Sequence, residues 1–256
     1  MSGSGLLVRQ VRYANKTFWR NPASAFFTFA FPLLFLVIFT TLLGNDDVDI
    51  GTETIRASTY YVASMAAFGM ISACYTNIAI TIIFARENGV LMRTRGTPMP
   101  PWSYLGARVA HAALIGFLLV AITATFGVIA YGASFPTGVD LFRFAVTLLV
   151  GAGCFAAIGL AVTGWVPNAD AGPPIINAII LPLLFLSGVF IATGNDTPAW
   201  VLWAGRIFPV KHLVDALRDS FLGLPSFSWT DVGVLALWLV VGVVVAARTF
   251  RWEPRA

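Results

Sequence analysis

SAFFTFAFPLLFLVIFTTLL, residues 24–43, is an unbroken run of twenty residues without a charged side chain. A lipid bilayer has a hydrocarbon core about 30 Å thick, and about 20 apolar residues in a helix are needed to cross it. Inside that core each backbone amide must find its hydrogen-bond partner within the segment, which favours a helix over an open strand. This run therefore predicts a membrane-spanning helix.

Five further runs are similarly long and apolar, so the sequence predicts an all-α integral membrane protein with six transmembrane helices. The predicted spans are Ser24–Leu43, Tyr60–Phe84, Ala107–Tyr131, Phe144–Val166, Pro174–Ala192 and Val232–Ala247. We expect residues 1–256 to form a single transmembrane domain, with the six-span bundle at residues 24–249 and a short tail at residues 250–256.

The composition supports a membrane protein. Hydrophobic residues make up 58% of the 256 positions and charged residues only 11%, whereas about a quarter of the residues in soluble domains are charged. A soluble globule of this composition would lack the polar surface to cover its core, which excludes the soluble classes.

The charges indicate the orientation. The segments on the side of the N-terminus hold eleven basic and three acidic residues, a net +8, and the segments on the other side hold five basic and nine acidic residues, a net −4. Basic connections stay in the cytoplasm, so both ends of this multi-pass plasma-membrane chain are expected there. The first apolar run is too long for the core of a signal peptide, and we expect it to be retained.

Residues 1–23 predict an amphipathic helix in the cytoplasmic headgroup layer. Basic residues recur every three or four positions on one face and apolar residues occupy another: Arg9, Arg12, Lys16 and Arg20 against Leu7, Val11, Ala14 and Phe18. A solvated basic tail is the alternative, and it would leave Phe18 and Trp19 in water. On the other side of the membrane, the Trp- and Pro-rich segment Asn195–Ser228 predicts short helices that dip into the outer leaflet, at Val201–Ile207 and Lys211–Leu222.

The chain lacks the motif of an ATPase. A phosphate-binding loop ends in Gly-Lys-Ser/Thr, but Lys16 follows Asn15 and Lys211 follows Val210. We therefore expect no enzyme activity and no cofactor bound by this chain, and a transport ATPase built on it would need a separate subunit to hydrolyse ATP.

No metal site is expected either. His111 and His212 are predicted on opposite sides of the membrane, and Cys74 and Cys154 lie in different apolar runs. Packing roles fit the cysteines and His111, and a local contact near Asp215 fits His212.

Two features of the spans leave a structural and a functional interpretation open. Phe27, Phe31, Phe35 and Phe39 are spaced four residues apart and share one helix face; they either pack against lipid and protein or form one wall of a substrate path. Uncharged polar residues such as Asn77 and Ser187 either make hydrogen bonds between helices or line that path. No ionisable residue lies near a span centre, which argues against coupling to an ion gradient.

Three motifs together resemble the type-two permease family of ATP-binding-cassette (ABC) exporters, in particular the short drug-efflux permeases of the daunorubicin-resistance kind. They are RENGVLMR at residues 86–93 with Thr97-Pro98, PLLFLSGVF at residues 182–190 with PAW at residues 198–200, and Phe208-Pro209 leading to DALR at residues 215–218. Met92 departs from the family pattern, in which a more polar residue is common.

The resemblance implies an antibiotic-resistance efflux permease in the cell inner membrane. Its partners would be an ABC nucleotide-binding subunit, which binds ATP and magnesium, and a second copy in a homodimer, in a lipid bilayer and without nucleic acid. Glu87, Gly89, Leu91, Arg93 and Arg95 would couple the permease to that subunit. The substrate path would involve Phe27, Phe31, Phe35, Asn77 and Ser187, and the external gate helices would contain Pro209, Asp215 and Arg218.

Two alternatives remain. The same scaffold could export a polysaccharide or lipid-linked glycan, for which the many aromatic residues would serve as stacking platforms. A membrane enzyme or immunity protein would need a convergent polar cluster, and the external group Arg206, Lys211, His212, Asp215, Arg218 and Asp219 is the single candidate in the sequence.

Overall fold

The computed structural model describes residues 3–42, 47–50, 53–190, 197–223 and 227–253, which are helical almost throughout. The helices are α1 (Gly3–Trp19), α2 (Pro22–Leu42), α3 (Ala57–Ile71), α4 (Asn77–Glu87), α5 (Val90–Arg95), α6 (Pro101–Tyr131), α7 (Val139–Val162), α8 (Gly172–Leu186), α9 (Ala199–Ile207), α10 (Pro209–Leu222) and α11 (Trp229–Thr249). A π-helical turn at Ser72–Thr76 joins α3 to α4 in one continuous span.

Five helical segments are long and apolar enough to cross a bilayer, namely α2, α3–α4, α6, α7 and α11. They confirm five of the six predicted spans. Helix α6 begins at Pro101, ahead of the predicted start at Ala107, because a proline is favoured in the first turn, where its missing amide hydrogen would have no helical partner.

The fifth predicted span, Pro174–Ala192, is shorter than expected. Its helix α8 ends at Leu186 after 15 residues, a length of about 22 Å against the hydrocarbon thickness of about 30 Å. Ala192 lies outside the described residues, as does Leu43 at the predicted end of the first span. A sixth crossing therefore stays a prediction.

A short β-hairpin between α2 and α3 was not predicted. Strands β1 (Asp47–Ile50) and β2 (Glu53–Arg56) pair antiparallel, with Asp47 opposite Arg56. Aspartate is depleted in strands, and β1 contains two of them, so local propensity argued against this element.

The two ends of the bundle carry different elements. Helices α1 and α5 and the residues after α11 meet at one end, hereafter the basic end, where Arg95 lies 3.4 Å from Glu253 and the ring of Phe18 contacts that of His111. Helix α1 accounts for residues 3–19 of the predicted amphipathic segment 1–23, whose last two residues belong to α2. Its place in the headgroup layer stays a prediction. Asp46, Asp196 and Arg255, three of the charges used to predict the orientation, lie outside the described residues.

The span formed by α3 and α4 is the centre of the bundle. Every residue of α3 except Phe68 is buried, and α3 packs against α2, α6 and α10. Helices α2 and α11 are mostly exposed and apolar, which suits the lipid-facing periphery of a membrane protein.

The glycines of α7 allow close packing to different degrees. A Cβ atom added to Gly159 would lie 2.8 Å from the carbonyl oxygen of Tyr75, in the backbone of the π-helical turn. A Cβ on Gly153 would meet the methyl groups of Leu239 at 3.4 and 3.5 Å, an ordinary contact with a side chain. The backbones of α7 and of the π-helical turn therefore touch at Gly159.

We expect Gly159→Ala to lower the free energy of unfolding by about 1–3 kcal/mol, because the added methyl group overlaps a backbone that cannot move aside. Gly153→Ala in the same helix is the matched control and should have little effect. The melting temperatures of the two purified variants in detergent test this. Equal melting temperatures would show that the α7 backbone is not held against the π-helical turn.

Candidate functional site

The predicted coupling segment, Glu87–Arg95, forms a turn followed by a short helix. Helix α4 ends at Glu87, and α5 begins at Val90. Between them Gly89 has φ +67, a left-handed conformation that glycine adopts without steric cost. The segment is therefore divided at Gly89 between the end of α4 and the separate helix α5.

One apolar side chain of the coupling segment faces the bundle and the charged ones face outward. Leu91 is fully buried in the core, whereas Glu87, Arg93 and Arg95 are exposed. The ion pair of Arg95 with Glu253 is also exposed, and such a pair contributes at most about 1 kcal/mol. The segment thus offers a charged surface on a helix anchored by Leu91, and its coupling role stays a prediction.

Arg86, next to this segment, was assigned in the sequence only to a basic loop, but it is buried with 1% of its surface exposed. Its Nη1 donates to the carbonyl of Thr163 at 2.8 Å, and its Nη2 donates to the carbonyl of Val166 at 2.6 Å. These carbonyls follow the end of α7, where the helix dipole is negative and attracts a cation. Arg86 therefore fastens the end of α4 to the end of α7.

The predicted aromatic stripe of α2 is confirmed as a continuous row. Ring centroids of Phe27 and Phe31 are 5.9 Å apart, those of Phe31 and Phe35 are 6.1 Å apart, and those of Phe35 and Phe39 are 5.8 Å apart. The first two rings of the row are exposed: Phe27 and Phe31 each expose about half of their surface. Whether this row serves a substrate path stays a prediction.

The exposed half of the row lines a groove between α2 and the α3–α4 span. This groove has a volume of about 350 Å³ and includes Phe27, Phe31 and Asn77 of the predicted path. Phe35 lies beyond it and packs instead on the rings of Phe68 and Phe190 at 6.1 and 5.6 Å.

Ser187 lies apart from these residues. It is buried at the end of α8, and its hydroxyl donates to the carbonyl of Leu183 at 2.6 Å. The structure thus brings together three of the five predicted path residues, with Phe35 as a neighbour and Ser187 separate from the groove.

The two predicted external helices are present as α9 and α10, and the predicted gate residues lie on α10. Pro209 occupies its first turn, and Asp215 accepts from Lys211 at 3.1 Å and from Arg218 at 3.3 Å. The guanidinium of Arg218 also lies over the ring of Tyr60 at 4.1 Å, a favourable cation–π geometry. This contact joins α10 to α3.

His212 joins α10 to α11, and the predicted local contact near Asp215 is not the bond that it makes. Its Nδ1 lies 2.5 Å from Asp231 Oδ1, and its Nε2 lies 2.8 Å from the carbonyl oxygen of Arg206. Both nitrogens donate when the ring is protonated, so the hydrogen bond to Asp231, the larger effect, raises the pKa of His212 despite its burial.

The pKa of Asp219, two turns after His212 along α10, is also shifted. Burial, and then the neighbouring carboxylates of Asp215 and Asp231, raise its pKa to about 6. Four of the six residues in the external polar group, Lys211, His212, Asp215 and Arg218, make ion pairs or hydrogen bonds within the described structure.

Cys74 and Cys154 are both buried free thiols. Across the described ranges, no three His, Cys, Asp or Glu side chains lie close enough to hold a metal ion.

Comparison with known proteins places these features in one family. The profile of the ABC-2 type transporter family matches residues 6–222, a range that includes α1, the groove, the coupling segment and α10. The inner membrane transport permease YadH of Escherichia coli strain K12 is 24% identical over 213 residues, which cover 81% of this chain and 79% of that protein.

Two further relatives match a smaller part of this chain. Nodulation protein J of Rhizobium leguminosarum bv. viciae is 30% identical over 98 residues, 38% of either chain. ABC transporter G family member 1 of Dictyostelium discoideum is 28% identical over 97 residues, which cover 38% of this chain and 12% of that protein.

We expect Arg86→Ala to lower the free energy of unfolding by about 3 kcal/mol, because it removes two charge-assisted hydrogen bonds and leaves buried carbonyls unpaired. Arg86→Lys should cause a smaller loss than Arg86→Ala, since one ammonium group keeps the charge but cannot make both hydrogen bonds of the guanidinium. Arg93→Ala, on the exposed face of α5, is the control. Melting temperatures measured in detergent test the order, and a loss no greater for Arg86→Ala than for Arg93→Ala would contradict the role of Arg86.

The thermal stability should fall as the pH rises from 5 to 8. Folding raises the pKa of His212 above about 6.5, so its stabilising effect is complete below that pH and is lost as the pH rises through the folded pKa. Folding raises the pKa of Asp219 from 3.8 to about 6, so between these values the unfolded chain loses a proton that the folded protein keeps, and the stability falls as the pH rises.

Melting curves at several pH values check this dependence. His212→Gln should flatten the curve above pH 6.5, Asp219→Asn should flatten it below pH 6, and the exposed carboxylate variant Glu87→Gln should leave it unchanged. A stability that is independent of pH in all four proteins would refute the assignment.

Proposed function

The chain belongs to the ABC-2 type transporter family, and from this premise we propose that it is the membrane permease of an ATP-driven exporter of a lipophilic or amphiphilic substrate. The substrate would be a drug, an antibiotic or a lipid, and export would proceed from the cytoplasm or inner leaflet outward. In this proposal the basic end faces the cytoplasm, and both chain ends lie there.

One observation carries the proposal. The coupling segment presents the exposed charges of Glu87, Arg93 and Arg95, and it is attached to the bundle at two points. Leu91 inserts into the core, and Arg86 grips the end of α7. A partner that pushes on this segment would move α4 and α7 with it rather than bend a loop.

The proposed partner is an ABC nucleotide-binding subunit that carries ATP and magnesium. The sequence contains no phosphate-binding loop, so this chain would depend on that subunit for hydrolysis. A charged and exposed segment suits a polar interface that forms and rearranges during a catalytic cycle.

The permease is proposed to act as a homodimer. The groove beside Phe27 and Phe31 is open on one side, and α2 and α8 both expose large apolar side chains such as Phe26, Ile179 and Phe185. A second copy facing these helices would close the groove into a path.

A lipid-linked glycan is a second candidate substrate. The observation that favours it is the half-exposed state of Phe27 and Phe31 in the groove, where aromatic faces could stack against sugar rings. The two substrates differ in the ligand that stimulates ATP hydrolysis by the assembled complex.

Co-expression with an ABC nucleotide-binding subunit tests the proposal. We expect a stable complex of two permeases and two ATPase subunits by native mass spectrometry. Glu87→Ala should reduce copurification or ATP-driven transport several-fold, because it removes an exposed charge from the coupling segment. Arg56→Ala, an exposed charge at the opposite end, is the control. Transport by the purified chain without ATP, or equal behaviour of the two variants, would contradict the proposal.

A further inference from the structure

A second cavity lies beside the groove at the basic end. Its volume is about 200 Å³, and it is enclosed by α1, the start of α2, α4 and α6. Its lining is unusually polar for a site between apolar helices and includes Asn21, Ser24, Asn77, Thr81, Arg108 and His111.

Arg108 gives this cavity a positive charge that no acid balances. Its guanidinium donates to the hydroxyl of Tyr104 at 3.3 Å and lies over that ring at 5.2 Å. In the described part of the chain no carboxylate comes within 4.0 Å of it, and none of the described residues that line the cavity is acidic. A half-buried cation without a counter-ion attracts an anionic ligand.

His111 adds an unused hydrogen-bonding atom. Its side chain is buried, with 7% of its surface exposed, and its ring rests against Phe18. Its Nε2 finds no hydrogen-bond partner among the residues that the structure describes. Burying a polar atom unpaired costs free energy that a ligand can recover by pairing with it.

The cavity and the groove share two lining residues, Ser24 and Asn77. From that junction the groove continues along Phe27, Phe31 and Phe68, a predominantly apolar surface. A polar, basic cavity therefore borders an apolar groove at Ser24 and Asn77, and the pair matches an amphiphile with its headgroup at the basic end.

We propose that Arg108 and His111 bind the anionic headgroup of a membrane amphiphile, with its apolar tail in the groove beside Phe27 and Phe31. The headgroup would be a phosphate, sulfate or carboxylate, whose oxygens accept from the guanidinium and from His111 Nε2. A lipophilic cation fits poorly, since it would approach Arg108 without an acid to compensate. Inorganic phosphate lacks the tail that the groove accommodates.

This inference deepens the proposed function, because the bound molecule is either the exported substrate or a resident anionic phospholipid. The binding test uses the purified permease in nanodiscs of phosphatidylcholine. The probes are oleoyl lysophosphatidic acid and oleoyl lysophosphatidylcholine, which share a tail and differ in headgroup charge. Binding is followed through the rise in melting temperature with ligand concentration.

We expect lysophosphatidic acid to bind at least about tenfold more tightly than lysophosphatidylcholine, and Arg108→Gln to abolish that preference. Arg108→Lys should retain part of it, because the charge remains, and His111→Gln should retain most of it if the amide replaces Nε2 as a donor. Arg12→Gln removes an equal charge from the exposed face of α1 and is the matched control. Equal losses in Arg108→Gln and Arg12→Gln would reduce the effect to surface charge and overturn the proposal, as would equal binding of the two lipids.

The complex with the ATPase subunit distinguishes the two sources of the ligand. Stimulation of ATP hydrolysis by lysophosphatidic acid, lost in Arg108→Gln, identifies a substrate site, whereas stabilisation without stimulation identifies a resident lipid site. Because binding is measured on the permease alone, failure to assemble with an ATPase would refute the proposed function and leave the headgroup site standing. A complex that assembles but shows no headgroup preference would refute the site alone.

Discussion

The last carbonyl groups of a helix have no partner within that helix, and near hydrocarbon they cannot rely on water to pair them. In this protein the carbonyls that follow α7 are paired by a side chain from another span, Arg86. This interaction fixes where α4 ends, and the turn at Gly89 and the placement of α5 follow from it. Helix α7 in turn packs closely on α11, where Gly242 lets the two backbones touch near Ala157. A displacement of the coupling segment is therefore carried into two further spans.

The two ends of the bundle treat charge in opposite ways. At the end with α10, cations and anions are matched: Asp215 lies between Lys211 and Arg218, and His212 bonds to Asp231. These contacts hold α10 against α3 and α11 and leave little free charge. At the basic end, Arg108 faces a cavity without an acid, and the charges of α5 point outward. The ion pairs at the end with α10 thus join helices, whereas at the basic end Arg93 and Arg108 have no ion pair among the described residues.

The sequence was sufficient for features set by local pattern. Length and apolarity predicted the five spans that the structure confirms, and periodic basic residues predicted α1. The starts of α2 and α10 were predicted two residues late, at Ser24 and Lys211 instead of Pro22 and Pro209. Contacts between residues far apart in the chain could not be predicted from the sequence. Arg86 bonds to a carbonyl 77 residues away, and in the sequence it cannot be distinguished from the exposed arginines that follow it. The same applies to His212, whose nearest acid along the chain is not the acid it bonds. The phenylalanine row lies within one helix, so its spacing in the sequence predicted it. The position of Ser187 depends on how α8 packs against the other helices, which the sequence does not show.

The π-helical turn at Ser72–Thr76 interrupts the regular α-helix at the middle of the central span. A π turn contains one residue more than an α turn, and each residue of an α-helix adds a rotation of about 100° and a rise of 1.5 Å. Conversion of this turn to regular α-helix would rotate the half of the span below it by one residue step, and the backbone contact at Gly159 opposes that rotation. Asn77 would turn away from both cavities at once, and Arg86 would turn with it. A single backbone step at this turn would therefore move Asn77 in the groove and Arg86 at the end of α7 together.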